Sequence, residues 1–228
     1  IVPDELISAP IINEIEVGIG YVSDDAYKFG RYTGLQDDGA FLLGEIKFRE
    51  LYEDGSFLSI RGKDLGTDSR YMRVEAGIWG SLEAFFQYDE LPNFKDNTAE
   101  TPYLGVGSET LLLPAGFDIN SNLDANLHSL ELQTKRERVI MGANFIAQKL
   151  WQFDIDYSLE SKEGVDATSA AIAHGKEQLL GNSTTSALPE PIDYETNQVN
   201  ATLHYSGDNA QFDLSYHASL FDNNNDSL

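Results

Sequence analysis

The chain has 228 residues and a formal net charge of −23, from 15 Lys and Arg against 38 Asp and Glu. This acidity argues against a nucleic-acid binder, which needs a basic surface for phosphates, and an aromatic content of 11% argues against a disordered acidic chain. Because the chain has no cysteine, disulfides, thiolate metal ligands, thiol nucleophiles and covalently attached c-type haem are excluded for these residues.

Apolar and polar residues alternate along nine segments, and each segment is predicted to be a β-strand with two different faces. The pattern is clearest in residues 151–160, where every odd-numbered residue is apolar and every even-numbered residue is polar. In residues 129–148 the apolar positions change from even to odd numbers. This change predicts a long strand that carries a bulge, or leaves its apolar environment, near residues 136–138. In chain order, the predicted strands are 13–22, 40–52, 56–65, 70–78, 81–90, 129–148, 151–160, 198–205 and 210–220.

The length of these strands favours a membrane β-barrel. Most have about 9–13 residues, whereas strands of globular proteins average about 5–6 and tilted membrane strands need about 9–11. No run of about 18 apolar residues is present, so the sequence predicts no transmembrane helix.

The connections between predicted strands alternate in length. Outer-membrane barrels have short periplasmic turns and longer extracellular loops, so residues 1–12 are expected to begin on the periplasmic side. Trp79 and Trp151 lie at short-turn ends, and Tyr88 and Tyr157 lie towards the opposite ends, as a girdle at each membrane interface requires. A tryptophan that anchors a soluble core is the alternative interpretation. The long connections are 23–39, 91–127 and 161–192; the tight ones are 53–55, 79–80, 149–150 and 206–209; residues 66–69 are intermediate.

These features predict an all-β protein, an antiparallel up-and-down transmembrane β-barrel. Bacterial single-chain barrels have an even number of strands. About nine strands are predicted here, so they are expected to be a contiguous piece of a larger barrel.

Several stretches at strand ends and in loops form a series that is characteristic in kind and order. They are residues 16–25 with Lys28-Phe29-Gly30, residues 88–92, residues 101–105 leading to 111–114, residues 188–194 and residues 219–225. This series resembles the MtrB/PioB family of outer-membrane porins, over nearly the whole chain and roughly the first third of a large family barrel. Together with the alternation of connection lengths, which makes residues 1–12 a periplasmic N-terminal segment, the resemblance gives an order for the whole chain. It also implies that residues 13–228 are the N-terminal portion of one barrel in the bacterial outer membrane.

The resemblance implies a porin-like sheath that encloses a periplasmic decahaem c-type cytochrome and insulates it from membrane lipid and lipopolysaccharide. An extracellular multihaem cytochrome would dock at the outer rim. Electrons would then cross the outer membrane from haem to haem, for metal reduction or iron oxidation. The chain itself is expected to carry no haem and to be a structural component rather than an enzyme. Some family members have a Cys-x-x-Cys pair near the mature N-terminus, which this chain lacks, so no role of that pair is transferred.

Basic residues on the predicted polar face are the candidate contacts with an enclosed protein. Arg49, Arg61 and Arg73 come from three consecutive strands and would face the lumen with Lys47 and Lys63. Arginine can form two parallel hydrogen bonds with a carboxylate. The arginines are therefore candidates to bind carboxylates or haem propionates of the partner. A hydrated wall without partner contacts is the alternative interpretation.

A calcium site is a further candidate near the end of the sequence. Asp222, Asn224 and Asp226 supply oxygen ligands at the spacing of a calcium-binding loop, but Ser227 stands where such loops have glycine. A polar loop without calcium is the alternative. The acidic residues of the first long connection form a second, weaker candidate: Asp24, Asp25, Asp37 and Asp38.

Other functions stay open at this stage. The same polar wall is compatible with a general diffusion porin for small solutes, and the strand pattern alone allows a soluble β-sandwich or an adhesin-like domain. An outer-membrane hydrolase would need Ser/His or Asp/His groups that converge at one rim. The four histidines are instead scattered, and none lies in a nucleophile motif: His128, His174, His204 and His217.

Overall fold

The computed structural model describes residues 13–118, 120–147, 150–172 and 184–226, with only the backbone of 170–172 and 184–186. The predicted periplasmic segment 1–12, Lys149 of a predicted turn, His174 and Ser227 lie outside these residues. No helix in the described ranges is long and apolar enough to cross a membrane. The elements are β1 (Glu14–Val22), β2 (Gly39–Leu51), β3 (Ser56–Lys63), β4 (Tyr71–Ile78), β5 (Leu82–Thr101), α1 (Leu123–Asn126), β6 (His128–Ala147), β7 (Trp151–Ile172), β8 (Thr184–Ser206) and β9 (Gln211–Asn223).

The nine described strands form one antiparallel sheet in the order of the sequence, so the predicted all-β, up-and-down architecture is confirmed. β1 and β9 are the two edges of this sheet, which is not closed over the described residues. Short turns at 52–55, 79–81 and 207–210 alternate with longer connections, as the sequence predicts.

Three strands are longer than the alternation of apolar residues predicts. β5 continues past Glu90 to Thr101, β7 continues past Glu160 to Ile172, and β8 begins at Thr184 rather than near residue 198. Much of the connections predicted at 91–127 and 161–192 is therefore strand. These extensions keep their backbone pairing, but both of their faces are largely polar, so the period-two signal is lost.

Two prolines are a second reason why the alternation pattern does not predict the first part of β8 as strand. Pro189 and Pro191 pair with Ala167 and Val165 of β7. On the other side, β9 pairs with β8 only from Tyr194 onwards. The carbonyl of Pro191 accepts a hydrogen bond from the side chain of Asn225, which follows β9. The backbone polar groups of Pro191 therefore point towards the edge of β8 that β9 leaves unpaired. Proline is tolerated at such an edge because its missing N–H breaks no ladder hydrogen bond.

The prediction of a bulge at 136–138 is wrong. β6 pairs without interruption through these residues with both β5 and β7, and the irregularities lie instead in β5, between Phe94 and Ala99. The alternative expectation, a strand that leaves its apolar environment, agrees with the structure. The apolar residues of β6 lie on one face from Val139 to Phe145, whereas Leu130 lies on the other face and is only 7% exposed.

The register joins the apolar residues of neighbouring strands into one band, which defines the outer face of the sheet. Directly paired residues of antiparallel strands share a face. One row across β4 to β8 therefore consists of Val74, Phe86, Met141, Tyr157 and Val199. Large apolar side chains of this face are exposed, up to 81% for the most exposed of them. Such a surface suits contact with lipid hydrocarbon. The opposite, mostly polar face is called the inner face below.

β5 to β8 extend beyond the apolar band at the end of the sheet away from the short turns, and a salt bridge connects two of them. Lys95 Nζ lies 2.5 Å from Asp166 Oδ2, which links β5 to β7 across β6. Burial opposes ionisation of Asp166, but hydrogen bonds from Lys95 and from the backbone N–H of Ala167 outweigh it, so the pKa of Asp166 lies below its ordinary value.

We expect acid to loosen these outer strands. A carboxyl group whose folded-state pKa is lowered stabilises the protein above its unfolded pKa of about 4, and this contribution is lost as the pH falls through the folded value. The protection of the β7 segment, measured as its hydrogen-exchange rate relative to the intrinsic rate at the same pH, should therefore decrease as the pH falls from about 5 to 3. D166N should lack this extra pH dependence. An identical pH profile in both proteins would contradict the prediction.

Candidate functional site

A recess of about 690 Å³ lies on the inner face, close to the short-turn ends of the strands. Its two sides differ in chemistry. β2, β3 and β4 contribute Arg49, Arg61 and Arg73, whereas β7 contributes Asp154 and Asp156. The structure thus brings together the three arginines that the sequence places on consecutive strands.

A row of three cations runs across β2, β3 and β4, and its two arginines line the basic side of the recess. Lys47 is paired directly with Arg61, and Arg61 is paired directly with Arg73. Lys47 Nζ lies 3.5 Å from Glu14 and 3.4 Å from Glu45. Like charges placed directly opposite each other in a sheet repel. The carboxylates beside Lys47 reduce this repulsion at one end of the row.

Arg73 is neutralised at the other end of the row. Its Nε lies 2.6 Å from Glu75 Oε1, and it also donates a hydrogen bond of 2.9 Å to Gln87. Arg61, at the centre, is exposed and forms neither an ion pair nor a side-chain hydrogen bond with any described residue. The positive charge of the row is therefore least compensated at Arg61.

Aromatic rings lie beside two of the arginines. The guanidinium of Arg49 is 5.4 Å from the centroid of the Trp79 ring, and Trp79 packs edge-to-face on Phe57 with centroids 5.9 Å apart. The guanidinium of Arg73 is 4.0 Å from the centroid of Phe85. Both distances are within the range of cation–π attraction. Strand alternation alone does not predict this aromatic part of the site, although Phe85 interrupts the polar face of β5 between Glu83 and Gln87.

Gly142 makes room for one of these rings. A Cβ atom at this position would lie 2.7 Å from the Phe85 ring and 2.8 Å from the carbonyl oxygen of Ile155. Both distances are shorter than real contacts, so the absence of a side chain lets Phe85 lie across β6. The same ring carries the guanidinium of Arg73 at 4.0 Å from its centroid.

The structure corrects one predicted girdle residue. Trp79 follows Ile78, an outer-face residue, so the alternation turns Trp79 towards the inner face, where it contacts Arg49 and Phe57. Trp151 does lie in an aromatic cluster of the outer face. Its ring centroid is 4.7 Å from that of Tyr205 and 5.7 Å from that of Phe212.

The carboxylates on the β7 side are held by side-chain amides and, at Asp154, by one histidine. Asp154 accepts hydrogen bonds from Asn144 and from Gln152, the latter of 3.0 Å. His204 lies between two carboxylates, with Nε2 at 3.3 Å from Asp154 and Nδ1 at 2.5 Å from Asp213.

The neighbouring carboxylate is held in the same way. Asp156 accepts a hydrogen bond of 2.8 Å from Asn200. Neither Asp154 nor Asp156 forms an ion pair with an arginine among the described residues. The basic side and the acidic side of the recess are therefore not paired with each other.

The remaining predicted site residues lie apart from the recess. Lys63 is on the inner face at the opposite end of β3, where it pairs with Tyr71. Asp222 belongs to β9, the side chain and N–H of Asn224 donate to Asp193, and the N–H of Asp226 donates to Glu109.

Calcium binding by Asp222, Asn224 and Asp226 stays a prediction. Within the described ranges, no group of three or more His, Asp or Glu side chains has a geometry that could hold a metal ion. In the first long connection, Asp25 accepts a hydrogen bond of 2.9 Å from the N–H of Asp38.

Long antiparallel strands in sequence order, an apolar outer face and a polar inner face define an outer-membrane β-barrel protein. The sequence model of the family described as an outer membrane beta-barrel porin, MtrB/PioB, matches residues 21–228. The chain belongs to this family, which confirms the resemblance and places the protein in the bacterial outer membrane. It is 30% identical over 221 residues to outer membrane protein MtrB of Shewanella baltica (strain OS185). That match covers 94% of the chain but only 30% of the relative, so the chain spans less than a third of the relative's length.

Proposed function

We propose that this chain forms part of a sheath that encloses a periplasmic multihaem, in particular decahaem, c-type cytochrome and insulates it from lipid during electron transfer across the outer membrane. The observation that carries the proposal is the composition of the inner face. Arginine and aromatic side chains, which are enriched at protein interfaces, lie side by side there: Arg49 with Trp79, and Arg73 with Phe85. Metal reduction or iron oxidation would be the process served.

The far end of the sheet supports a second part of the proposal. β5 to β8 continue beyond the apolar band, with β7 extending from Leu159 to Ile172. At about 3.3 Å per residue, these strands would raise a paired wall well above the membrane surface. An extracellular multihaem cytochrome could dock on this wall, while lipid and lipopolysaccharide contact the apolar band.

A general diffusion porin for small solutes is the second candidate. The amide and carboxylate side of the recess favours it, because Asn144, Asp154, Asp156 and Asn200 resemble the hydrated wall of a porin channel. The two functions differ in the cytochrome that remains bound after mild extraction. They also differ in the ion conductance of the barrel as extracted.

The test begins with full-length protein extracted from native membranes in mild detergent. A sheath should retain a c-type cytochrome in a fixed haem-to-barrel ratio. When incorporated into vesicles that contain a trapped electron donor, this complex should reduce an external acceptor. Removal of the cytochrome should abolish that reduction and open an ion-conducting pore in planar bilayers. A barrel that retains no haem and conducts steadily as extracted would contradict the sheath and support the diffusion porin.

A further inference from the structure

We propose that Arg61, together with Arg49 and Trp79, is the anchor through which the inner face holds a carboxylate-bearing surface of the enclosed protein. This inference rests on the proposed function, because it names a contact between the sheath and its partner. The occupant is an acidic patch on a folded protein, not a free small anion.

The three cations of the row are unequally neutralised. Lys47 and Arg73 both have carboxylates within 3.5 Å, whereas Arg61 between them has no ion pair among the described residues. Because both neighbours already have carboxylate partners, Arg61 is the cation of the row whose charge a carboxylate of a bound protein would compensate.

The carboxylates near Arg61 already have hydrogen-bond partners of their own. Asp154 and Asp156 line the same recess as Arg61, but they accept hydrogen bonds from Asn144, Gln152 and Asn200 instead. Like Arg61, Arg49 forms no ion pair with a described residue. The recess thus leaves guanidinium groups accessible to a carboxylate from outside the wall.

An aromatic ring lies beside one of these arginines. Trp79 is 55% exposed, and its ring centroid is 5.4 Å from the guanidinium of Arg49. A guanidinium beside a ring keeps its in-plane N–H groups, which can bind a carboxylate through two hydrogen bonds. Tryptophan and arginine are also the residue types that most often dominate the affinity of protein interfaces. A protein surface uses both features, whereas a small anion needs only the charge.

The position of the site fits a partner that enters from the periplasm. Arg49 lies two residues before the end of β2, and Trp79 directly follows β4, so both are next to short turns. Short turns face the periplasm in outer-membrane barrels. The anchor is therefore near the mouth through which a periplasmic protein would be inserted.

The test compares full-length barrels that carry R61Q, R49Q/R61Q or K63Q with the wild type. The probe is the c-type cytochrome isolated from the native complex and added back to partner-free barrel at increasing salt concentrations. R49Q/R61Q should weaken binding by at least about tenfold at low salt, the loss expected when one member of a desolvated charge pair is removed. The difference from wild type should shrink at high salt. K63Q removes a cation from the same face of the same strand but outside the recess, and should change binding by less than about twofold.

Other outcomes would decide against the anchor. Equal binding by wild type and R49Q/R61Q would overturn it while leaving the sheath intact. If wild-type barrel does not bind the cytochrome, the proposed function fails as well. If R49Q/R61Q changes the anion selectivity of the empty pore but not cytochrome binding, the site serves small anions and the proposal is wrong. Two measurements show whether each variant folds: heat-modifiable mobility on gels and the level of protein in the outer membrane. R61K keeps the charge but removes the two-point hydrogen bonding, and so separates the two contributions to binding.

Discussion

Arginine in place of Ile155 is expected to destabilise the barrel by about 2–4 kcal/mol, the cost of a cation at the middle of a lipid-facing barrel wall. Ile155 lies halfway along the apolar part of β7, between Trp151 and Leu159, and is 41% exposed on the outer face. It is paired with Ala143 on one side and Ala201 on the other, so no described neighbour offers a carboxylate on that face.

A matched variant on the inner face isolates the effect of lipid. Thr202 is next to Ala201 in β8, points to the opposite face, and is paired with Asp154 and Ser215. T202R should cost less than about 1 kcal/mol, because water and carboxylates surround the new charge. The free energies of unfolding can be measured by urea titration of the full-length proteins in phospholipid vesicles. Equal losses for I155R and T202R would contradict the assignment of the outer face to lipid.

The same contrast between faces explains how much of the fold the sequence predicts. Within the apolar band, alternation alone identifies the outer residues, and the observed register pairs them with one another, as in the row through Phe86 and Tyr157. Outside the band the environment no longer distinguishes two faces. The outer parts of β5, β7 and β8 are therefore held by backbone pairing and by contacts such as Lys95 with Asp166, which leave no periodic pattern.

The candidate site is predictable only in part, for a related reason. Strand alternation places Arg49, Arg61 and Arg73 on one face, and consecutive strands are neighbours in an up-and-down sheet, so their proximity follows from the sequence. Which of them is neutralised depends on the side-chain geometry of other strands. Glu75, for example, binds Arg73 rather than Arg61. It does so although its direct partner, Ser59, is the neighbour of Arg61 on the same face of β3. Alternation gives the face of Trp79, but its contacts with Arg49 and Phe57 depend on where the turn after β4 places the ring.

Replacement of Glu90 by glutamine is expected to lower stability by about 1–3 kcal/mol, because it removes the shared carboxylate of two cations. Glu90 lies on the outer face just beyond Tyr88, and its side chain is only 2% exposed. One carboxylate oxygen is 2.8 Å from Arg70 Nε, and the other is 2.6 Å from Lys135 Nζ. Both cations are about half exposed, so water screens them and the loss stays below that of a fully buried ion pair.

Glu137 supplies the matched control for this network. It also pairs with Lys135, at 2.7 Å, but its side chain is 43% exposed, so E137Q should cost less than about 1 kcal/mol. Hydrogen bonds to Glu137 and Glu90 raise the pKa of Lys135, which lies outside the apolar band. A raised lysine pKa stabilises the fold fully below the ordinary value of about 10.4, and this contribution is lost as the pH rises through the folded value. Urea titrations at pH 8 and above pH 10.4 should therefore show the cost of E90Q shrinking at the higher pH. If E90Q lowers the free energy of unfolding no more than E137Q does, burial of the Glu90 carboxylate adds nothing to the stability of the sheet at the outer end of the apolar band.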